Sequence, residues 1–546
     1  MERNRQQLNA GVRRLGNLTR DEKFDFDANL DLPRHAVLAH PRRQHSKLTI
    51  LSHPCGNNFV RHTAMALHRS KSLSQFHLSI AASGGNFFSQ LAALPGMSEI
   101  RRRTYDPQLL PKMHLHPWRE AGRLLASRIG WKSLTLHEYG FFSVDAVYRS
   151  FDRAVAVHID KMITSRRATQ PVHGEVYCYE DAAFETFKAA KRAGLRCIYD
   201  LPIAHWRTSR RLLSEEADRL PEWEPTLVGT RDSPAKCARK DAELEFADII
   251  VCPSNFVRDS LSDTVAFDKP IHVIPFGSPD VSVSEAATHH LSIARSSLLG
   301  DAGRGHDRLR VLFAGSMSQR KGLADLFAAM KLMDPKRVEL HVMGSPIAPI
   351  DFYRSQFPHF VYHSTRPNEK VLRLMRTMDV FCLPSIVEGR ALVIQEAMSQ
   401  GLPIIITPNT GGEDLVDVTH PFNFGRSVVE SVDCEPMAQS TGDAKNEIPV
   451  AGDSPTEASV IGSRVEKIYG RGATGFLVPI RSPQTIAACI SWCSDHRHEV
   501  IGMGNSAQDK SREYTWKSYG DRIVQAVQDS GRKNKLLGGD AGSGIR

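Results

Sequence analysis

The stretch Val380-Phe-Cys-Leu-Pro384-Ser-Ile-Val-Glu388-Gly-Arg-Ala-Leu-Val-Ile-Gln-Glu396-Ala-Met398 decides the fold. Residues 380–383 are apolar throughout and predict a buried strand that stops at Pro384. Gly389 lets the chain turn tightly, and a helix follows over 391–400 with Glu396 inside it. The N-terminus of that helix therefore lies beyond the carboxyl end of the strand, where its unpaired N–H groups and its dipole favour an anion. Eight residues at ~1.5 Å each put the carboxylates of Glu388 and Glu396 at most about 12 Å apart along the axis. That spacing suits a ligand with hydroxyl-rich groups on either side of a diphosphate, because a carboxylate accepts hydrogen bonds from vicinal hydroxyls. The same two residues would also fit an ordinary acidic helix start.

Upstream, Gly315-Ser-Met-Ser-Gln-Arg320-Lys321-Gly322 again follows a strand and opens a helix, placing two cations where a phosphate could reach them. The alternation extends on both sides. Strands are expected at 310–314, 338–343, 360–363, 380–383, 404–407 and 475–479, with helices at 322–333, 369–378, 391–400 and 484–493. Earlier in the chain, strands are expected at 47–51, 76–81, 175–179, 196–201, 248–252 and 271–276, with helices at 58–68, 182–193 and 236–246. This β-α rhythm predicts an α/β protein of two doubly wound, Rossmann-like domains facing a central cleft.

The domain reading follows from where the rhythm breaks. Residues 1–46 form an arginine-rich tail, 47–285 a first Rossmann-like domain, and 306–514 a second. Residues 281–307 read as the connector, and 417–471 as a polar insert within the second domain. Residues 515–530 form a last helix and 531–546 a glycine-rich tail.

The chain has 546 residues, 41% hydrophobic and 24% charged, which fits ordinary folded domains and excludes collagen-like or wholly disordered classes. Lys and Arg exceed Asp and Glu by 9, which favours anionic partners. The basic residues are dispersed without an aromatic-lined groove pattern, so nucleic acid is not expected as a partner. No run approaches the ~18 apolar residues of a membrane span, and the N-terminal tail lacks the apolar core of a secretory signal. Nine Cys without C-x-x-C pairs indicate neither a zinc site nor a disulfide framework, so a cytoplasmic protein with reduced thiols is expected.

Together these stretches resemble the retaining GT-B glycosyltransferases of family 4, also called glycosyl transferases group 1. The resemblance is specific over 311–322, 340–344, 360–416 and 475–479, with Glu388 and Glu396 as the paired glutamates. It is looser in His53-Pro-Cys-Gly-Asn57 and in 243–254. It implies a hexosyltransferase that uses a nucleoside diphosphate sugar, needs no metal or other cofactor, and acts on a glycan or lipid-linked glycan. Carried over by position, Lys321 and Arg320 would hold the diphosphate, Glu388 the transferred sugar and Glu396 the ribose. The amides of Arg390, Ala391 and Leu392, next to Gly389, would cradle phosphate. His205 would stand near the reacting sugar, or else be a loop histidine without a role. The resemblance also implies that 47–285 is the acceptor side, that 306–514 holds the donor, and that the last helix, 515–530, crosses back to the first half. The catalytic set is thus Glu388, Lys321 and His205, with Gly56 and Asn57 on the acceptor-side loop. Ser316 stands where many members carry Arg, Arg390-Ala391 replaces a commoner Phe-Gly, and Gly56-Asn57 stands where Gly-Gly is frequent. A non-catalytic sugar-nucleotide or glycan binding protein on the same fold is the alternative.

Other matches fit poorly. Gly470-Arg-Gly-Ala-Thr-Gly475 satisfies a dinucleotide pattern but precedes a strand, the wrong order, and reads as a turn. Asp25-Phe-Asp27 lies in the tail, and His114, His116, His359 and His363 lack further ligands at convincing spacing. Residues 118–131, with Trp118 and Trp131 at the ends, form a basic amphipathic segment that fits either a helix packed on its own domain or peripheral contact with the inner face of a membrane.

Overall fold

The computed structural model describes residues 48–83, 85, 87–92, 98–101, 103–165, 174–279, 308–422 and 468–529. The tails, the connector and most of the polar insert lie outside them. The first sheet has seven parallel strands in the order β3-β2-β1-β4-β5-β6-β7. They are β1 Leu48–Ser52, β2 Leu73–Leu78, β3 Met113–Leu115, β4 Gly174–Tyr179, β5 Arg196–Asp200, β6 Ile249–Cys252 and β7 Ile271–Val273. The second sheet runs β10-β9-β8-β11-β12-β15-β14-β13. Its parallel part is β8 Leu309–Ala314, β9 Val338–Met343, β10 Phe360–His363, β11 Val380–Leu383, β12 Ile404–Ile406 and β15 Gly475–Leu477.

These strands form because their apolar runs are covered on both faces. Val380–Leu383 and Ile404–Ile406 are buried at every position, as central strands of a parallel sheet must be. Strand order reverses direction between β1 and β4 and between β8 and β11, so each sheet opens a crevice at those carboxyl ends.

Three sequence expectations are corrected. The second strand is Leu73–Leu78 rather than 76–81. The short edge strand Met113–Leu115 carried too little apolar pattern to be seen. The insert is not polar loop to its edges: Val418–Pro421 and Gly470–Gly472 (β13 and β14) pair antiparallel and extend the second sheet. The glycines of 470–475 belong to the β14–β15 hairpin, in which Gly470 opposes Leu477, so the turn reading there was incomplete.

Two indoles tie the halves of the chain together. Trp223, in the short helical turn Pro221–Thr226 of the first half, is 2% exposed and packs edge-on against Phe327, Phe352 and Tyr353 of the second half, at centroid distances of 5.9, 5.0 and 5.8 Å. It is part of the second sheet's core. Helix Trp516–Asp529 makes the reverse connection. Trp516 stacks on His62 at 4.2 Å, and the Tyr519 hydroxyl lies 3.1 Å from that of Thr63, both on helix Asn58–Arg69.

Trp223→Ala should destabilise the protein by about 3–5 kcal/mol, the usual cost of emptying a buried Trp site, measured by denaturant unfolding. A second expectation concerns Asp200 at the end of β5. Burial pushes its carboxyl up to about 7, against the hydrogen bond that the Tyr177 hydroxyl donates to Oδ2 at 2.7 Å. The folded state therefore holds a proton that the unfolded chain releases near pH 4, so this residue's contribution to stability falls as pH rises from 4 to 7. Asp200→Asn should remove that part of the decline, roughly 4 kcal/mol, when unfolding free energies of the two proteins are compared across this range.

Candidate functional site

The carboxyl ends of β8, β9 and β11 open onto a cavity of about 500 Å³, closed on its far side by the first half of the chain. Ala314, Gly315, Ser316 and Lys321 come from the β8 turn, and Met343, Gly344 and Ser345 from the β9 turn. The segment from Glu388 to Val393 and the side of Glu396 form another wall, while Phe59, Pro202, Ile203 and Phe276 face them.

Gly389 sets the approach of the two halves. A Cβ there would stand 1.7 Å from the Pro202 carbonyl oxygen, so only glycine allows the contact. The Ser254 hydroxyl donates to the Gly389 carbonyl at 2.6 Å, fixing the main chain from the other side of the seam. Glu388 is held just before it, its N–H donating to the Asn409 carbonyl at 3.1 Å.

The charges meet at Glu388. Its Oε1 lies 2.9 Å from Arg320 Nη1 and also accepts from Lys321 Nζ. Burial pushes the Glu388 carboxyl up, but Lys321 and Arg320 together outweigh it and hold the group below its ordinary range. Burial lowers the Lys321 ammonium, with Glu388 opposing. Two cations against one carboxylate leave a net positive charge in a desolvated place, which favours an anionic ligand. Glu396, on helix Leu392–Ser399, accepts from Asn368 Nδ2 at 2.8 Å. Burial raises its carboxyl, the Asn368 bond opposing.

The loop carrying the cations is braced from the first half. Gln319 donates from its N–H to the Thr226 hydroxyl at 3.2 Å and from its amide to Glu216 and Asp325, each at 2.7 Å. Glu216, on helix Trp206–Arg219, is fully buried and also pairs with Arg219 and Arg481.

The structure thus brings Ser316, Lys321, Glu388, Gly389, Arg390, Ala391, Leu392 and Glu396 to one cavity, with Arg320 behind the wall. The Arg390 side chain, to which no role was given, is buried and donates to the Gly411 carbonyl, Asp414 and Gln395 at 2.9, 2.7 and 2.9 Å. Of the expected amides, not all are available. The Ala391 amide is spent on the Thr410 carbonyl at 3.1 Å, so the helix's first-turn amides begin at Leu392.

His205 does not line the cavity. Its ring is 1% exposed at the start of helix Trp206–Arg219, with Nε2 3.2 Å from Asp241 Oδ1. Burial, partly opposed by Asp241, pushes it down to about 4, so it is neutral and stands in a structural position. Gly56 and Asn57 also fall outside the wall; Tyr105 packs over Gly56, Asn57 is exposed, and Phe59 of the same turn reaches the cavity instead.

Sequence reasoning missed the apolar wall of Phe59, Ile203, Phe276, Met343 and Val371, whose residues carry no motif. It also missed Gln395, which spans the seam by donating to the Phe276 carbonyl at 2.8 Å and to the Ser278 hydroxyl at 3.1 Å.

Among the described residues, His137, Glu138 and Asp232 alone form a group of this kind close enough to share a cation, and they lie away from the cavity. The carboxylates there already accept from the Ser233 amide and Lys236, both at 2.8 Å. Among the same residues no helix is long and apolar enough to cross a membrane.

A search of solved structures returns sucrose-phosphate synthase from Thermosynechococcus elongatus at TM-score 0.52 and 13% identity, covering 89% of this chain and 98% of that one. It also returns the UDP-forming α,α-trehalose-phosphate synthase from Burkholderia vietnamiensis at TM-score 0.50 and 11% identity, covering 90% and 99%. The two-sheet architecture is that of the GT-B glycosyltransferases. Residues 308–442 match the family model Glycosyl transferases group 1. An uncharacterized 41.2 kDa protein in the cps region of Klebsiella pneumoniae is 24% identical over 132 residues, which span 23% of this chain and 37% of that protein.

If the seam is set by Gly389, Gly389→Ala should force the Pro202 main chain away. It should lower the thermal midpoint by several degrees, read by calorimetry, with a loss of about 1–3 kcal/mol from overpacking.

Proposed function

We propose that the protein transfers a hexose from a nucleoside diphosphate sugar to a hydroxyl of a glycan or lipid-linked glycan, with retention of anomeric configuration, as a family 4 enzyme. The observation that carries this reading is the Glu388 carboxylate held between Lys321 and Arg320 on a cavity wall that also presents Glu396 and a helix N-terminus.

A diphosphate entering there replaces Glu388 as the partner of the two cations, and Glu388 turns to the hydroxyls of the transferred sugar. Glu396 is placed to accept hydrogen bonds from the ribose. As the bond between the anomeric carbon and the phosphate oxygen breaks, negative charge grows on the leaving diphosphate. Lys321, Arg320 and the amides from Leu392 onward stabilise that charge, so this set supports catalysis without a required metal. Attack comes on the face that the leaving group departs, its phosphate oxygen taking the acceptor proton. The apolar residues Phe59, Ile203 and Phe276 exclude water from the same space and so protect the developing cation from hydrolysis. We place the activity in the cytoplasm.

Lys321→Ala should reduce transfer by roughly 10²–10³-fold and weaken nucleoside diphosphate binding, and Glu388→Gln should reduce transfer more than it weakens binding. Transfer is measured with a panel of UDP-, GDP- and ADP-sugars, the UDP-sugar first because one fold relative is UDP-forming. Unchanged turnover in both variants overturns the assignment. Donor binding without transfer to any acceptor points instead to a non-catalytic sugar-nucleotide binding protein.

A further inference from the structure

Helix Trp118–Ile129 is built the wrong way round for a helix packed on its own domain. Among its residues only Glu120 and Ala126 are buried, and Leu124 is partly covered by Ala82 and Ile100. Trp118, Leu125 and Ile129 are 70%, 57% and 51% exposed. The turns that follow continue the pattern, with Trp131, Tyr139 and Phe141 each more than half exposed. Among the described residues, eight of the sixteen exposed large apolar side chains fall within positions 118–144. Scattered single apolar residues need no explanation, whereas a contiguous set of this size marks a binding surface.

Charge tells what kind of surface. The segment carries Arg119, Arg123, Arg128 and Lys132, and Arg128 and Lys132 are exposed beside the apolar side chains. Its acids are already engaged. Glu120 is buried under Arg103 and Arg123, and Glu138 accepts from the Ser233 amide. Arg119 lies over the Phe141 ring at 3.8 Å and so fixes the aromatic next to the helix. An outward face of Trp, Tyr, Leu and Ile bordered by cations is complementary to the boundary between acyl chains and anionic headgroups. The helix starts three residues after β3, at the carboxyl end of the first sheet, the end from which Pro202 and Ile203 reach the cavity.

We propose that this face seats on an anionic lipid bilayer, with Trp118, Leu125, Ile129, Trp131 and Tyr139 entering the headgroup boundary and Arg128 and Lys132 facing lipid phosphates. Seated so, the first half of the chain turns its cleft end toward a lipid-borne acceptor, which extends the transfer reading to its source of substrate.

The test is sedimentation of the full chain with vesicles of phosphatidylcholine alone and of phosphatidylcholine with about one third phosphatidylglycerol. The wild type should pellet with the anionic vesicles, and less so as salt rises. Leu125→Asp combined with Ile129→Asp should weaken that binding at least about tenfold with an unchanged thermal midpoint, since both side chains are exposed. Arg128→Glu combined with Lys132→Glu should lose the preference for phosphatidylglycerol. Residues 1–46 are present in every variant, so the differences belong to this face. A wild type that stays in the supernatant, or apolar variants that pellet equally well, overturns the proposal. So does a wild-type dimer, formed without vesicles, that the Asp substitutions dissociate, because the occupant is then a second copy. Lys321→Ala should pellet like the wild type, so failure of the transfer reading and failure of this one are read apart.

Discussion

The main chain at Gly389 pressed against the Pro202 carbonyl is the constraint on which the rest of the site depends. It brings the loop after β11 into contact with the loop after β5, and so turns two separate sheet edges into the two walls of one cavity. Glu388 precedes that contact and helix Leu392–Ser399 follows it, so both inherit their positions from it. The cations arrive by another route, through Gln319, whose three hydrogen bonds tie the β8 loop to Thr226, Glu216 and Asp325. The two loops are also tied directly, the Ile386 amide donating to the Arg320 carbonyl at 2.9 Å and Arg320 Nη1 donating to the Val387 carbonyl at 2.9 Å, so the carboxylate and the cations are held as one unit.

Much of this was legible in the residues. Val380–Leu383 and Ile404–Ile406 read as buried strands because every position is apolar, and the coordinates bury every position. Gly389 read as the residue that lets the loop turn tightly, whereas what requires glycine there is the approach of the Pro202 carbonyl. Lys321 and Glu388 could be paired across 67 positions only because each follows a strand of the same sheet. Met113–Leu115 escaped notice for the opposite reason: three residues on a sheet edge, one of them His114, have no period to detect.

The position of His205 was misjudged because sequence shows that a polar group is present without showing which way it turns. Arg390 was expected to lend only its main-chain amide, and its side chain has a task of its own. Arg390 turns inward because Asp414, the Gly411 carbonyl and the Tyr514 ring supply more satisfaction there than water would. His205 turns toward Asp241 because the helix that it begins packs on helix Pro234–Phe246 through Trp206, whose indole N–H donates to the same carboxylate at 2.8 Å. The apolar wall was illegible for a different reason: Phe59 and Phe276 reach it from strand and helix ends far apart in the chain.

Trp223 and Trp516 give the two halves an uncommon mechanical relation. Each half plants one indole in territory belonging to the other, Trp223 in the second core and Trp516 against helix Asn58–Arg69. The two indoles share the seam with Gly389, Gln319 and Gln395, so drawing the halves apart would bare aromatic surface on each of them at once.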